Sequence, residues 1–153
     1  MIIITDTREK PNKRFTFESY ADDGIRVIFS KLDIGDYSLQ GKENIVCVEK
    51  KESIEEIIRN LTDKDDSDRF ARELEKMKGI KNSYIVTCFS FDDLLMGTKH
   101  SKITPNYIIS LLLEIQSKYN VKIMFGGRRA EFLTYKILKK HWDLENGIVR
   151  WKK

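Results

Sequence analysis

Cysteine and histidine are scarce in this 153-residue chain, which has two of each. Cys47 and Cys88 lie far apart in apolar runs, with no Cys-x-x-Cys and no Cys/His pairing. That excludes a disulfide scaffold and a zinc site, and reads as two buried reduced thiols. His100 and His141 fall outside the motifs described below, so no chemistry is assigned to them. No apolar run approaches the roughly 20 residues that a membrane-spanning helix needs. The start, Met1-Ile2-Ile3-Ile4-Thr5-Asp6, lacks the basic stretch and small-residue cleavage site of a secretory leader. The expectation is an intracellular protein with no membrane partner, in the cytoplasm or nucleoid, or in the nucleus of a eukaryote. Repeats, linkers and low-complexity stretches are also missing. Hydrophobic residues make up 41% and charged residues 34%, which excludes collagen-like and disordered classes. A chain of this size buries about two-thirds of its unfolded surface, enough for one core without staples. One domain is expected over 1–153, with a core at about 2–140 and a basic extension at 141–153.

What is abundant is charge, unevenly placed. Residues 118–153 carry ten Lys and Arg against three Asp and Glu, a net of +7, which leaves −3 for residues 1–117. A basic end beside an acidic body suits a protein that meets a polyanion at one end and holds a metal at the other.

Short apolar runs alternate with helical periods. Strands are expected at Ile2–Thr5, Ile25–Phe29, Tyr84–Cys88 and Val121–Phe125, with a hairpin of Tyr37–Leu39 and Ile45–Val48. Ser53 reads as the N-cap of a helix to Leu61, and Lys64–Ser67 as a charged break. Helices follow at about Asp68–Lys78, Asp92–Met96, Thr104-Pro105 to Tyr119 and Arg128–Lys140. Such a series predicts an α/β fold with a mixed central sheet flanked by helices. The helix after Pro105 is apolar over a wide arc, which predicts burial on more than one side. In the last helix Phe132 and Tyr135 share a face with Lys136 and Lys139, a candidate contact surface.

Acidic residues at strand ends carry the chemistry. Asp6 closes the first strand, within Asp6-Thr7-Arg8-Glu9. Asp36 follows Gly35 at the start of the hairpin, and Glu49 and Lys51 end its second strand. Residues two apart on a strand point the same way, so Glu49 and Lys51 share a face that Asp36 can reach. Carboxylates packed that closely are costly unless a hard cation neutralises them. Mg²⁺ or Mn²⁺ held by one or two carboxylates plus substrate phosphate would polarise a phosphoryl oxygen and activate a water, with Lys51 stabilising the developing charge. That is the chemistry of phosphodiester hydrolysis. A phosphoacceptor domain built on Asp6 and Asp36 would leave Glu49 and Lys51 on one strand face unexplained.

The ordered set Asp6-Thr7-Arg8-Glu9, Ile34-Gly35-Asp36-Tyr37 and Val48-Glu49-Lys50-Lys51 resembles the nuclease domain of the XPF-type structure-specific endonucleases, in the restriction-endonuclease-like group. Arg69-Phe70 resembles the family's basic-aromatic pair, and the strand, glycine turn and helix after Val121 its closing unit. The likeness spans about residues 2–140. It implies metal binding by Asp36 and Glu49 assisted by Asp6 and Glu9, and catalytic support from Lys51. It also implies a structural or phosphate-facing role for Arg8 and a place near the scissile strand for Arg69. Phosphate contacts would come from Lys50 and from the basic end, through Arg128, Arg129, Lys136 and Lys139. Lys50 stands where the family has Arg, a weaker bidentate donor. The family's last acidic position falls on Glu55 by direct count and on Glu56 with one insertion. Glu73 stands where a neutral Gln is often found. The helix-hairpin-helix module that often follows this domain is not in the chain. The expected activity is a Mg²⁺- or Mn²⁺-dependent endonuclease acting on branched DNA such as flaps and forks, in repair or recombination. A homodimer through the Phe132/Tyr135 face, or a heteromer with a DNA-targeting partner, is expected. The alternative is a catalytically silent DNA-binding subunit of an active nuclease.

Overall fold

The structure is a computed structural model and describes residues 1–151. Six strands form one mixed sheet: β1 (Ile2–Asp6), β2 (Arg26–Ser30), β3 (Tyr37–Leu39), β4 (Val46–Lys51), β5 (Asn82–Thr87) and β6 (Val121–Phe125). Their order is β2-β1-β3-β4-β5-β6. β3 runs antiparallel to β1 and β4, and every other pairing is parallel. The carboxyl ends of five strands and the amino end of β3 therefore share one edge of the sheet. The chain leaves β1 in one direction to form β2 and builds β3 to β6 in the other. Ligand sites in open α/β sheets sit at such a reversal, outside the strands' carboxyl ends.

Alternation along β4 divides the core. Val46 and Val48 pack on one side with Ile3, Tyr37, Leu39 and Leu138, while Cys47 packs on the other with Phe70, Leu74, Ile85 and Tyr119. The first side is covered by α5 (Ala130–Glu145) and by residues 15–25, which include a 3-10 turn, Glu18–Asp23. The second carries α1 (Ile54–Thr62), α2 (Lys64–Lys78), α3 (Phe91–Met96) and α4 (Pro105–Tyr119). The expected mixed α/β architecture is the observed one. Both cysteines are free, Cys47 buried and Cys88 half-buried. Among the described residues no helix is long and apolar enough to cross a membrane.

Four expectations need correction. The charged stretch 64–67 is the first turn of α2. Asp63 accepts from Asp66 N at 3.2 Å, and Asp65 and Asp66 sit where the helix dipole favours acids. α5 runs past Lys140 to Glu145 because His141 and Asp143 are buried, so the expected extension begins as helix, and its Lys152 and Lys153 lie outside the described residues. α4 buries Ile108, Leu112, Ile115 and Tyr119, yet Leu113 is 57% exposed, so its apolar arc is covered on one side only. Tyr135 is not an open contact surface. Its ring stacks on Tyr20 at 4.2 Å and its hydroxyl donates to Asp23. The segment that covers it is pinned by Glu131, which accepts from the N–H groups of Thr16 and Phe17 at 2.9 and 2.7 Å. These bonds hold the buried Phe17 at φ +56°, a left-handed conformation that costs a bulky residue.

Candidate active site

The Gly-Asp motif is fixed by backbone geometry. Gly35 has φ +73°, and a Cβ there would lie 3.0 Å from the Val48 carbonyl oxygen, so only glycine fits. Asp36 then donates its N–H to Val48 O (2.9 Å), and its own carbonyl accepts from Asp6 N (2.8 Å). This stitches β1, β3 and β4 together at the shared edge. The Asp36 carboxylate accepts the Lys50 N–H at 2.8 Å.

Around it the charges are badly balanced. Lys51 Nζ lies 2.9 Å from Glu49 and 3.8 Å from Glu56, and 4.6 Å from the centre of the Phe70 ring. Burial pushes the Asp36 carboxyl well above the ordinary range, and the charges of Glu49 and Glu9 push it further, against the Lys50 N–H and Lys51. Burial also raises Glu49, with Glu73 and Glu56 adding to the rise and Lys51 opposing it. For Lys51, burial works against the charge, but Glu49, Glu56 and Glu73 outweigh it and hold the ammonium. Asp36, Glu49, Glu56 and Glu73 thus share one ammonium, and the Arg8 guanidinium, itself paired with Asp6 and exposed, reaches Asp36 and Glu49 only from a distance.

The structure divides the expected site residues. Asp36, Glu49 and Lys51 come together. Asp6 belongs to Arg8: its carboxylate accepts the Arg8 N–H at 2.7 Å, Nε at 3.0 Å and Nη2 at 2.5 Å, and the Leu32 N–H at 3.1 Å. Burial would raise Asp6, but these bonds outweigh it and hold its pKa down. With both oxygens engaged, Asp6 fixes Arg8 rather than opening onto the acid pair. Arg8 also donates to Leu32 O, and its side chain is 63% exposed. Glu9 is paired with Lys50 Nζ at 2.6 Å.

Lys50, expected to contact DNA, is buried and does not share the face of Glu49 and Lys51. It sits between Glu49 and Lys51, so its side chain leaves the opposite face of the sheet. There it is 3% exposed and bonded to Glu9, Glu52 and the carbonyl of Lys13. Arg69 is exposed and pairs with Asp66 at 2.7 Å, so Phe70, not Arg69, touches the cluster. Arg128 and Arg129 are exposed in the turn after β6, on the site's edge of the sheet. Lys136 and Lys139 lie further along α5, over Phe132 and paired with Asp143. Glu55 and Glu56, between which the count along the chain left the family's last acidic position open, are placed differently. Glu55 is exposed, while Glu56 accepts the Glu52 N–H at 2.8 Å and meets Lys51. Glu73 enters the cluster from α2. Helix phase could have found both, since Glu56 is the third residue after the Ser53 cap, and Glu73 lies one turn from Phe70 on the same face.

The donor set fits a hard divalent cation. Among the described residues no three His, Cys, Asp or Glu side chains converge as a ready-made metal cage. Mg²⁺ keeps several waters and takes one or two carboxylates plus phosphate oxygens, and Asp36 and Glu49 are two half-buried carboxylates short of positive charge.

An α/β domain with an acid pair and a lysine at the switch of a mixed sheet has the fold of the XPF-type nuclease domain. The chain belongs to the ERCC4 domain family, which matches residues 5–135. Two solved structures share the fold: XPF from Aeropyrum pernix, at 16% identity and TM-score 0.69 over 95% of this chain, and that protein in complex with DNA, at 16% identity and TM-score 0.68 over 99%. This chain spans 65% and 68% of those two chains. No curated protein matches it.

Proposed function

We propose that this domain is a divalent-metal-dependent DNA endonuclease that hydrolyses phosphodiester bonds in branched DNA, in repair or recombination. The observation that carries the reading is the Asp36–Glu49 pair, half-buried beside Lys51 in a deficit of positive charge. A silent subunit has no need of acids held at such cost. Asp36 and Glu49 would hold Mg²⁺ or Mn²⁺. Once bound, the ion supplies Lewis-acid polarisation of the phosphoryl oxygen and a water of lowered pKa. Lys51 stays an ammonium at neutral pH, so it donates to the developing negative charge rather than acting as a base. Glu56 also reaches Lys51, at 3.8 Å. Arg8, fixed by Asp6 and exposed, would donate to a phosphate, and Arg128 and Arg129, exposed on the same edge of the sheet, would meet the DNA backbone. The DNA-bound state of the Aeropyrum pernix protein supports DNA as the partner.

The test is cleavage of labelled flap, fork and blunt duplex DNA with Mg²⁺, Mn²⁺ or EDTA. Metal-dependent cutting of the branched substrates is expected. Salt-sensitive binding without cutting in any metal would instead favour the silent subunit.

Pairing of two copies is also proposed, with the face moved from Phe132/Tyr135. Phe91, Leu95, Tyr107 and Leu113 on α3 and α4 are 43%, 47%, 55% and 57% exposed. Large apolar side chains left exposed on two packed helices are the kind of surface a protein partner covers. Leu113→Glu is expected to shift a sedimenting dimer to monomer at micromolar concentration without lowering the melting temperature. A wild type that sediments as a monomer rules the dimer out.

A further inference from the structure

Phe29 is a large ring left 51% exposed on the edge strand β2, and the Arg14 guanidinium lies 4.0 Å from its centre. Phe29 is in register with Thr5, and Ser30 with Asp6, so the ring stands at the same edge of the sheet as the acid pair. Arg8 spans the gap, reaching from Asp6 to the carbonyl of Leu32, three residues beyond Phe29. Lys13 and Lys31 are exposed in the two connections that flank the ring. β2 lies two strand spacings from β3, about 10 Å, the rise of roughly three stacked nucleotides. Phe29 projects on the α5 side and the acid pair on the other, so a strand joining them passes over the edge where Arg8 sits.

We propose that Arg14 and Phe29 form a stacking platform for an unpaired base of the DNA strand that leaves the acid pair. Lys13 and Lys31 follow that strand's phosphates. Every base offers a π-face, so such a platform is tolerant of sequence. A paired base inside a duplex has both faces occupied by its neighbours, so the platform favours an unpaired branch over a continuous duplex. Arg14 adds a planar cation that stacks on a ring and meets phosphate equally well. The inference rests on the nuclease reading and extends it to how a branch is recognised.

The test is fluorescence anisotropy in EDTA, so that nothing is cut, with flap DNA, single-stranded DNA and blunt duplex. Wild type is compared with Phe29→Ala and Phe29→Tyr. Alanine is expected to weaken flap and single-strand binding at least fivefold, about the loss of one stacked base, and to leave duplex binding unchanged. Tyrosine keeps the ring and is expected to bind within about twofold of wild type. Equal losses on all three DNAs, or none, overturn the platform while leaving the nuclease reading standing. A wild type that binds no DNA in EDTA, and none with Ca²⁺ added, overturns both.

Discussion

Asp36→Asn is expected to lower metal-dependent cleavage about a thousandfold or more, and to make the metal-free protein more stable at neutral pH. The first effect would follow from losing one of the two carboxylates proposed to hold the ion, whose charge stabilisation is worth several kcal/mol. The second follows from what the fold tolerates to keep that ligand. Asn retains an oxygen for the Lys50 N–H, so the stitch between β3 and β4 survives. It removes a carboxylate that burial, Glu49 and Glu9 all push above its ordinary value of 3.8. A group with a raised folded pKa binds more protons in the native state than in the unfolded one, so stability falls as pH rises from 3.8 through the raised value. Below that window wild type and variant should unfold alike. Above it Asn should lead by about 1 kcal/mol, the usual size of a gain bought by giving up a functional group. Added Mn²⁺ should raise the melting temperature of wild type by mass action and leave the variant nearly unmoved. Thermal unfolding across pH, with EDTA and with Mn²⁺, reads all of this. An Asn variant less stable than wild type at neutral pH in EDTA would sink the account.

The strands were legible because each is a short apolar run closed by a turn signal, and a buried sheet writes its period directly. Helix caps were legible wherever a short polar residue precedes an apolar stretch, as at Ser53 and Thr104. The start of α2 was hidden because it carries no apolar residue. Its stability comes from the Asp63 cap and from Phe70, Leu74 and Met77 further along. The 3-10 turn at Glu18–Asp23 has no period to read, and it exists because Glu131, 114 residues away, holds Phe17. The same kind of distance defeats any reading of Tyr135, whose cover comes from Tyr20 and Asp23. In the site, order along the chain located Asp36, Glu49 and Lys51. Order does not tell which carboxylates are already satisfied. Asp6 and Glu9 look like Asp36 in sequence, but local geometry gives one to Arg8 and the other to Lys50.

Lys50 and Lys51 are neighbours with opposite fates, and their variants are expected to fail differently. Lys50→Met should cost about 3 kcal/mol of stability, because it leaves Glu9 and the carbonyl of Lys13 without their buried partner. Glu52 is 40% exposed and recovers water, which keeps the cost at the lower end for a broken buried pair. Metal should restore little of this loss, since the network lies across the sheet and reaches the acid pair only through the charge of Glu9. Lys51→Met removes the one ammonium among Asp36, Glu49, Glu56 and Glu73. Cleavage should fall about a hundred- to a thousandfold, the scale of losing one donor to developing charge. The metal-free protein should also lose stability at neutral pH as the four carboxylates repel. Here metal should rescue the fold, because taking away a competing positive charge strengthens the attraction for a divalent ion. At a hundred times Kd the bound ion returns about 2.7 kcal/mol. Titrating Mn²⁺ into both variants by calorimetry and by thermal unfolding separates the cases. A Lys51→Met protein that binds Mn²⁺ more weakly than wild type would place Lys51 outside the metal's field. A Lys50→Met protein rescued by Mn²⁺ would place Lys50 inside it.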